Sequence, residues 1–253
     1  MNRIHTISLI VPCKNEAKII AGFVKRAKKH TDEVIIVDNN STDATATIAR
    51  NAGAIVVSEP RHVDGIGYGY AHQAGMLYAT GEYIVAMDGD DTYPLEEISS
   101  IAEFMEKTHT DVVSCNRLPL IRPNAISKTR QFGIRILNTV TALLYGYPIR
   151  DILTGMWIIN RKALHTLNIQ SGGWDFSPEI KLAALTTPGI TFHEYHIDHF
   201  ERAKEPSKQQ IWKTGFGHLS FIFQYRIHTW ILALQRTLEA FTRFLFANPY
   251  EKI

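Results

Sequence analysis

The chain has 253 residues, 45% of them hydrophobic, with a formal net charge of +2. That is enough apolar material for one large domain with an appendage, and it excludes global disorder. The charge is too balanced for bulk electrostatic capture of nucleic acid, so no such partner is expected. In chain order, Ile7–Val11 reads as a strand and Ala17–Lys29 as a helix. Val34–Val37 is a second strand, Asp43–Asn51 a second helix, Ala54–Ser58 a third strand and Gly67–Ala79 a third helix. Tyr83–Met87, Leu95–Lys107 and Val112–Cys115 continue the alternation as strand, helix and strand. Apolar β-branched runs separated by helices predict an α/β fold, a doubly wound and mostly parallel sheet with helices on both faces.

After Asn116 the rhythm changes. Ile126–Tyr145 predicts a long helix, Trp157–Asn160 a short strand followed by a helical turn, and Thr191–Ile197 a last strand. From Gln209 onward the chain predicts an amphipathic helical tail, rich in aromatics with Lys and Arg interspersed. Residues 1–205 are therefore expected as the main domain and 206–253 as the tail. Aromatic and basic residues at helical spacing suit a membrane interface with anionic headgroups, while packing against the domain is the competing reading. No stretch reaches about 18 uninterrupted apolar residues, so no transmembrane helix is expected. No secretory signal is visible, and Cys13 and Cys115 sit in strand-like runs as buried thiols rather than a disulfide framework. The expected location is cytoplasmic.

Three polar clusters follow three of the strands. They are Pro12-Cys13-Lys14-Asn15-Glu16, Asp38-Asn39-Asn40-Ser41-Thr42-Asp43 and Asp88-Gly89-Asp90-Asp91. In an open parallel sheet, ligands bind beyond the carboxyl ends of the strands, so the clusters should converge. Crowded carboxylates repel unless a cation holds them. Hard oxygen ligands of this kind suit Mg²⁺ or Mn²⁺ bound alongside substrate phosphates. Taken alone, each cluster is also ordinary turn and helix-capping chemistry. Asp64-Gly65-Ile66-Gly67-Tyr68-Gly69 follows the third strand rather than the first, so it reads as a flexible entry to a helix, not a dinucleotide fingerprint. Ser177 reads as a helix cap, with Glu179 a weaker site candidate. His193, His196 and His199 alternate faces on a strand and are not expected to converge.

Ile10-Val11-Pro12 with Asn15-Glu16, Ile36-Val37-Asp38 with Ser41-Thr42-Asp43, and Asp88-Gly89-Asp90 together resemble the inverting family-two glycosyltransferases of the GT-A fold. The likeness is to the dolichol-phosphate mannose synthases and other polyprenyl-phosphate glycosyltransferases. Asp151-Ile152-Leu153-Thr154-Gly155-Met156 and Phe200-Glu201-Arg202 with Ser207-Lys208 add to it. Thr92 and Tyr93 depart from it, standing where Gln and His are common. The resemblance implies a nucleotide-sugar donor contacted by Pro12, Asn15, Glu16, Asp38, Asp88 and Gly89. It implies a metal on Asp90 and Asp88, and phosphates handled by Arg117, Arg130, Arg202 and Lys208. It implies transfer to polyprenyl phosphate or another lipid-linked acceptor at the cytoplasmic face of a membrane. Asp151 is the candidate base if the acceptor is a hydroxyl, because an acceptor phosphate is already an anionic nucleophile. Two alternatives stand beside this reading: transfer to a hydroxyl of a glycan or lipid-linked saccharide, and an inactive sugar-nucleotide-binding module.

Overall fold

The structure, a computed structural model, describes residues 5–65, 67–201 and 210–246. Seven strands form one sheet in the order β3-β2-β1-β4-β6-β5-β7. These are β1 (Ile7–Cys13), β2 (Glu33–Asp38), β3 (Ile55–Ser58), β4 (Tyr83–Ala86), β5 (Val112–Asn116), β6 (Trp157–Asn160) and β7 (Phe192–His196). Every pairing is parallel except those of β6, which runs antiparallel to both β4 and β5.

The helices are α1 (Ile20–Ala27), α2 (Thr45–Asn51), α3 (Tyr68–Tyr78), α4 (Ile98–Thr108), α5 (Lys128–Tyr145), α6 (Arg161–Leu164), α7 (Phe176–Thr186) and α8 (Ile211–Phe246). Pleating sends successive strand residues to opposite faces. Leu9 and Val11 accordingly join α1 and α4, whose buried residues recur at helical spacing as Ile20, Phe23, Val24, Ala27 and as Ile98, Ile101, Ala102, Met105. Ile10, between them in sequence, packs with Ala71 and Ala74 of α3 on the other face. A third cluster joins Trp157 and Ile159 of β6 to Leu137 of α5 and to Phe176 and Ile180 of α7. The expected doubly wound α/β architecture is observed.

Helix α8 divides into two parts. His218 and Ile222 are buried against α5 and α7, and the Tyr145 hydroxyl donates to the Ile222 carbonyl at 2.9 Å. Trp230, Ile231, Leu234, Leu238 and Phe241 farther along are exposed. The helix spans 36 residues, about 54 Å. Its first part packs against the domain, and its later part is exposed. Among the described residues, no helix is long and apolar enough to cross a membrane.

Candidate active site

Strands β1, β2, β4, β5 and β7 end at one edge of the sheet. Because β6 is antiparallel, the turn preceding it, Asp151–Met156, arrives at that same edge. A cleft of about 570 Å³ opens there. Its walls include Pro12, Cys13, Lys14 and Glu16 after β1, Asn39 after β2, Asp88-Gly89-Asp90 after β4, and Arg117 after β5. Arg130 lines it from the first turn of α5. Five further walls, Tyr68, Tyr93, Trp174, His199 and His218, were not singled out as site residues from the sequence.

Close approach of backbones shapes the floor. A Cβ on Gly89 would lie 2.8 Å from Val11 Cγ1 and 3.2 Å from Cys13 Sγ, so glycine lets the segment after β4 press against β1. A Cβ on Gly155 would lie 3.0 Å from Asp88 Oδ2, 3.1 Å from the Tyr68 hydroxyl and 3.2 Å from the Tyr93 hydroxyl. The Gly155 amide donates to the Tyr93 hydroxyl at 2.7 Å. Burial pushes the Tyr68 phenol well above its ordinary pKa, and the Asp88 carboxylate, which accepts its hydrogen bond, pushes it further. Asp90 Oδ1 accepts from the Thr92 amide at 3.2 Å and from the Thr92 hydroxyl at 2.6 Å, which fixes the carboxylate in the cleft. The two departures from the family pattern thus orient site groups: Thr92 holds Asp90, and Tyr93 holds Gly155. Asp91 turns away with positive φ and pairs with Arg26.

A divalent ion suits this donor set. Asp88 and Asp90 offer hard oxygens in one cleft, and His199, buried beside the Tyr93 ring at 4.9 Å, keeps an unpartnered Nδ1 among the described residues. Among the described residues, no three His, Cys, Asp or Glu side chains group closely enough to hold an ion by themselves. The fit is that of an ion held by one or two carboxylates and completed by substrate phosphates. As expected, the three histidines do not converge. His193 contacts Thr110, His196 contacts the Pro119 carbonyl, and His199 alone of the three faces the cleft.

Several expected site residues lie elsewhere. Asp151 is 0% exposed and does not line the cleft. Both its oxygens are taken by Arg117, through Nε at 2.7 Å, Nη2 at 3.0 Å and the backbone amide at 3.1 Å. Burial pushes the Asp151 carboxyl up, but the Arg117 charge and hydrogen bonds overcome this and hold it below the usual carboxylate range. Asp151, expected as the base for a hydroxyl acceptor, is thus paired with Arg117 behind the cleft wall. Asn15, with φ of 60°, uses its side chain to accept from the Thr42 amide. Asp38 accepts from the Ser41 amide. Asn15 thereby ties the loop after β1 to the loop after β2, and Asp38 braces the latter from within; neither lines the cleft, whereas Asn39 does. Ser177 is no cap but does line the cleft: Asp175 is the N-cap of α7, and the Ser177 hydroxyl donates to the Thr154 carbonyl at 2.8 Å. Glu179 accepts from the amides of Gln170 and Ser171 and does not line the cleft. Arg202 and Lys208 lie outside the described residues.

Known proteins resemble the chain in sequence and in fold. The profile of Glycosyl transferase family 2 matches residues 8–167. The low-salt glycan biosynthesis hexosyltransferase Agl6 of Haloferax volcanii is 29% identical over 224 residues, 86% of this chain and 53% of that protein. The glycosyltransferase AglJ of the same organism is matched over 56% of its length, so the chain spans little more than half of these two relatives. A dolichyl-phosphate hexose transferase of Haloferax volcanii is 29% identical over 206 residues, 79% of this chain and 85% of that protein. Among solved structures, glucosyl-3-phosphoglycerate synthase from Mycobacterium tuberculosis superimposes with a TM-score of 0.70 at 18% identity, over 88% of this chain and 80% of that one. The same enzyme has been crystallised with Mn²⁺ and UDP-glucose. With its motif-bearing loops gathered at one edge of a GT-A-like sheet, the chain belongs to Glycosyl transferase family 2.

Proposed function

We propose that the chain is an inverting, metal-dependent hexosyltransferase that moves a sugar from a UDP- or GDP-sugar donor onto polyprenyl or dolichyl phosphate. The observation that carries this reading is the composition of the cleft. The cavity holding Asp88, Asp90 and Arg117 is also walled by Ile126, Phe132, Ile136, Trp212, Phe216 and Leu219, apolar side chains of α5, its approach and the start of α8. An isoprenoid chain would bury against the whole of this wall, aliphatic and aromatic residues alike, whereas a saccharide would use chiefly its aromatic rings. The relationship to a dolichyl-phosphate hexose transferase supports the same acceptor class.

In this reading Pro12, Glu16 and Gly89 hold the nucleotide, and Asn15 and Asp38 order the loops around it. Asp88 and Asp90 hold the ion. When bound, Mg²⁺ or Mn²⁺ offsets the charge developing on the departing diphosphate. Arg130 brings a guanidinium to the acceptor phosphate, and Arg117 contributes its charge and the Nη1 edge that Asp151 leaves. Asp151 uses the Nε and Nη2 of Arg117, which aims Nη1 toward the Tyr93 hydroxyl at 3.4 Å. An anionic acceptor needs no general base, in keeping with the engagement of Asp151, and alignment of the two phosphates supplies much of the rate. Residues 1–205 are proposed as the catalytic domain, completed by the start of α8, with the exposed end of the 206–253 tail resting on the cytoplasmic face of a membrane.

One observation favours transfer to a hydroxyl as a second reading. His218 lines the cleft with Nδ1 2.8 Å from Asp175 Oδ1, and a carboxylate-oriented imidazole is a serviceable base. The test is a matrix of labelled UDP- and GDP-hexoses against a short polyprenyl phosphate and a lipid-linked saccharide, with and without Mn²⁺. A metal-dependent, butanol-extractable product from the lipid phosphate is expected. Product from the saccharide alone, lost in His218→Ala, would replace the first reading by the second.

A further inference from the structure

Lys181 is 0% exposed, on α7, yet no part of the cleft wall. Its Nζ donates to the Thr154 carbonyl at 2.7 Å, the Ser177 carbonyl at 2.8 Å and the Ser177 hydroxyl at 3.0 Å. All three ammonium hydrogens are thereby used, which is how a buried lysine is tolerated. The groups that act on it electrostatically come from four surrounding elements: Asp151 in the turn, Arg117 after β5, Cys115 on β5 and Glu194 on β7.

The turn above it is held at every side. Glu194 accepts from the amides of Arg150 at 2.8 Å and Asp151 at 3.0 Å. Asn138 of α5 accepts from the Ile152 amide and donates to the Arg150 carbonyl. Arg117 grips the Asp151 carboxylate. Lys181 holds the far end at Thr154, one residue before Gly155, which is hydrogen-bonded to Tyr93 and abuts Asp88. An ammonium beneath the cleft is therefore two links from a carboxylate within it.

Resting on the glycosyl-transfer reading, we propose that Lys181 is a positioning residue: by holding the Thr154 carbonyl from below, it sets Gly155 and the Tyr93 hydroxyl at the height Asp88 requires for productive donor geometry. Its effect falls on turnover rather than on donor affinity, because Lys181 itself does not line the cleft and acts only through the Ser177 wall and the Thr154 carbonyl. A shift of about 1 Å in a site can cost on the order of a hundredfold in rate.

The experiment compares Lys181→Met and Lys181→Gln with the unaltered chain by donor KM, kcat and amide hydrogen exchange across 151–156. Lys181→Met should lower kcat at least about tenfold, leave donor KM within about twofold, and speed exchange at Thr154 and Gly155. Lys181→Gln, which keeps a neutral donor, should fall between. Unchanged kcat with only a lowered melting temperature would overturn the proposal, and so would a rise in donor KM with unchanged exchange. If the Met variant does not fold, the Gln variant is read on the same three measures. Should the unaltered chain transfer nothing to lipid phosphate, the function reading fails on its own, while exchange and donor binding still decide the role of Lys181.

Discussion

Replacing Asp151 by Asn separates two roles for this carboxylate. The side chain is fully buried, and its Arg117 partner is 11% exposed. Neutralising Asp151 leaves a guanidinium in a low-dielectric site without its counter-charge. Breaking such a buried pair from one side costs about 3–5 kcal/mol. For 253 residues, about 2.1 cal/mol/K per residue gives an unfolding entropy of roughly 0.5 kcal/mol/K, so the melting temperature should fall by about 6–9 °C. Adding Arg117→Met removes the stranded charge, so the double variant should be more stable than the sum of the singles implies, by about 1 kcal/mol or more. Calorimetry and urea titration on the four proteins of the cycle measure both quantities. A D151N melting temperature within about 2 °C of the unaltered chain, combined with complete loss of turnover, would refute the structural role and restore Asp151 as a base.

Three other expectations follow from the same geometry. Asp90→Ala should abolish metal-stimulated turnover while leaving the melting temperature near that of the unaltered chain, and metal-dependent activity surviving in that variant would dismiss the assignment. Burial pushes Lys181 down to about 7 from its ordinary 10.5, against the opposing pull of Asp151. Between those values the unfolded chain binds the extra proton, so stability rises with pH there; the stability difference between the unaltered chain and Lys181→Met should grow in favour of lysine from pH 7 to about pH 10 in urea titrations. Removing residues 231–253 should leave the fold intact and weaken binding to vesicles containing anionic lipid. Removal from residue 209, by contrast, strips His218 and Ile222 from the core and should destabilise the domain.

The strands were legible because buried parallel strands are continuous β-branched runs, and Ile7–Val11, Val34–Val37 and Val112–Cys115 each carry that pattern. The direction of β6 was not, since Trp157-Ile158-Ile159-Asn160 reads the same whichever way it pairs. Convergence of the three polar clusters on one edge followed from the sheet rule, but which side chain of each cluster faces the cleft is set by turns. Asn39 lines it, while Asp38 accepts from the Ser41 amide within its own loop. The partner of Asp151 lies 34 positions away, beyond any local signal. His199 was set aside by a strand-periodicity argument, yet it sits past the last residue of β7, where alternation no longer applies. Lys181 gave no sign of itself: on a helix whose residues from Phe176 to Ala184 are all buried, an amphipathic pattern offers no side for a charge to occupy.

The reversed strand β6 has a further consequence. The chain leaves the sheet at the end of β5, builds α5 and the Asp151 turn, and re-enters at the start of β6 on that same edge. The whole excursion is a loop between two hydrogen-bonded neighbours, and it begins and ends at one edge of the sheet. Its length and lining can therefore change without moving a single strand pairing. Under the proposed function, the acceptor side of the cleft could vary through this one insert while the strands that carry the donor-side loops stay in place.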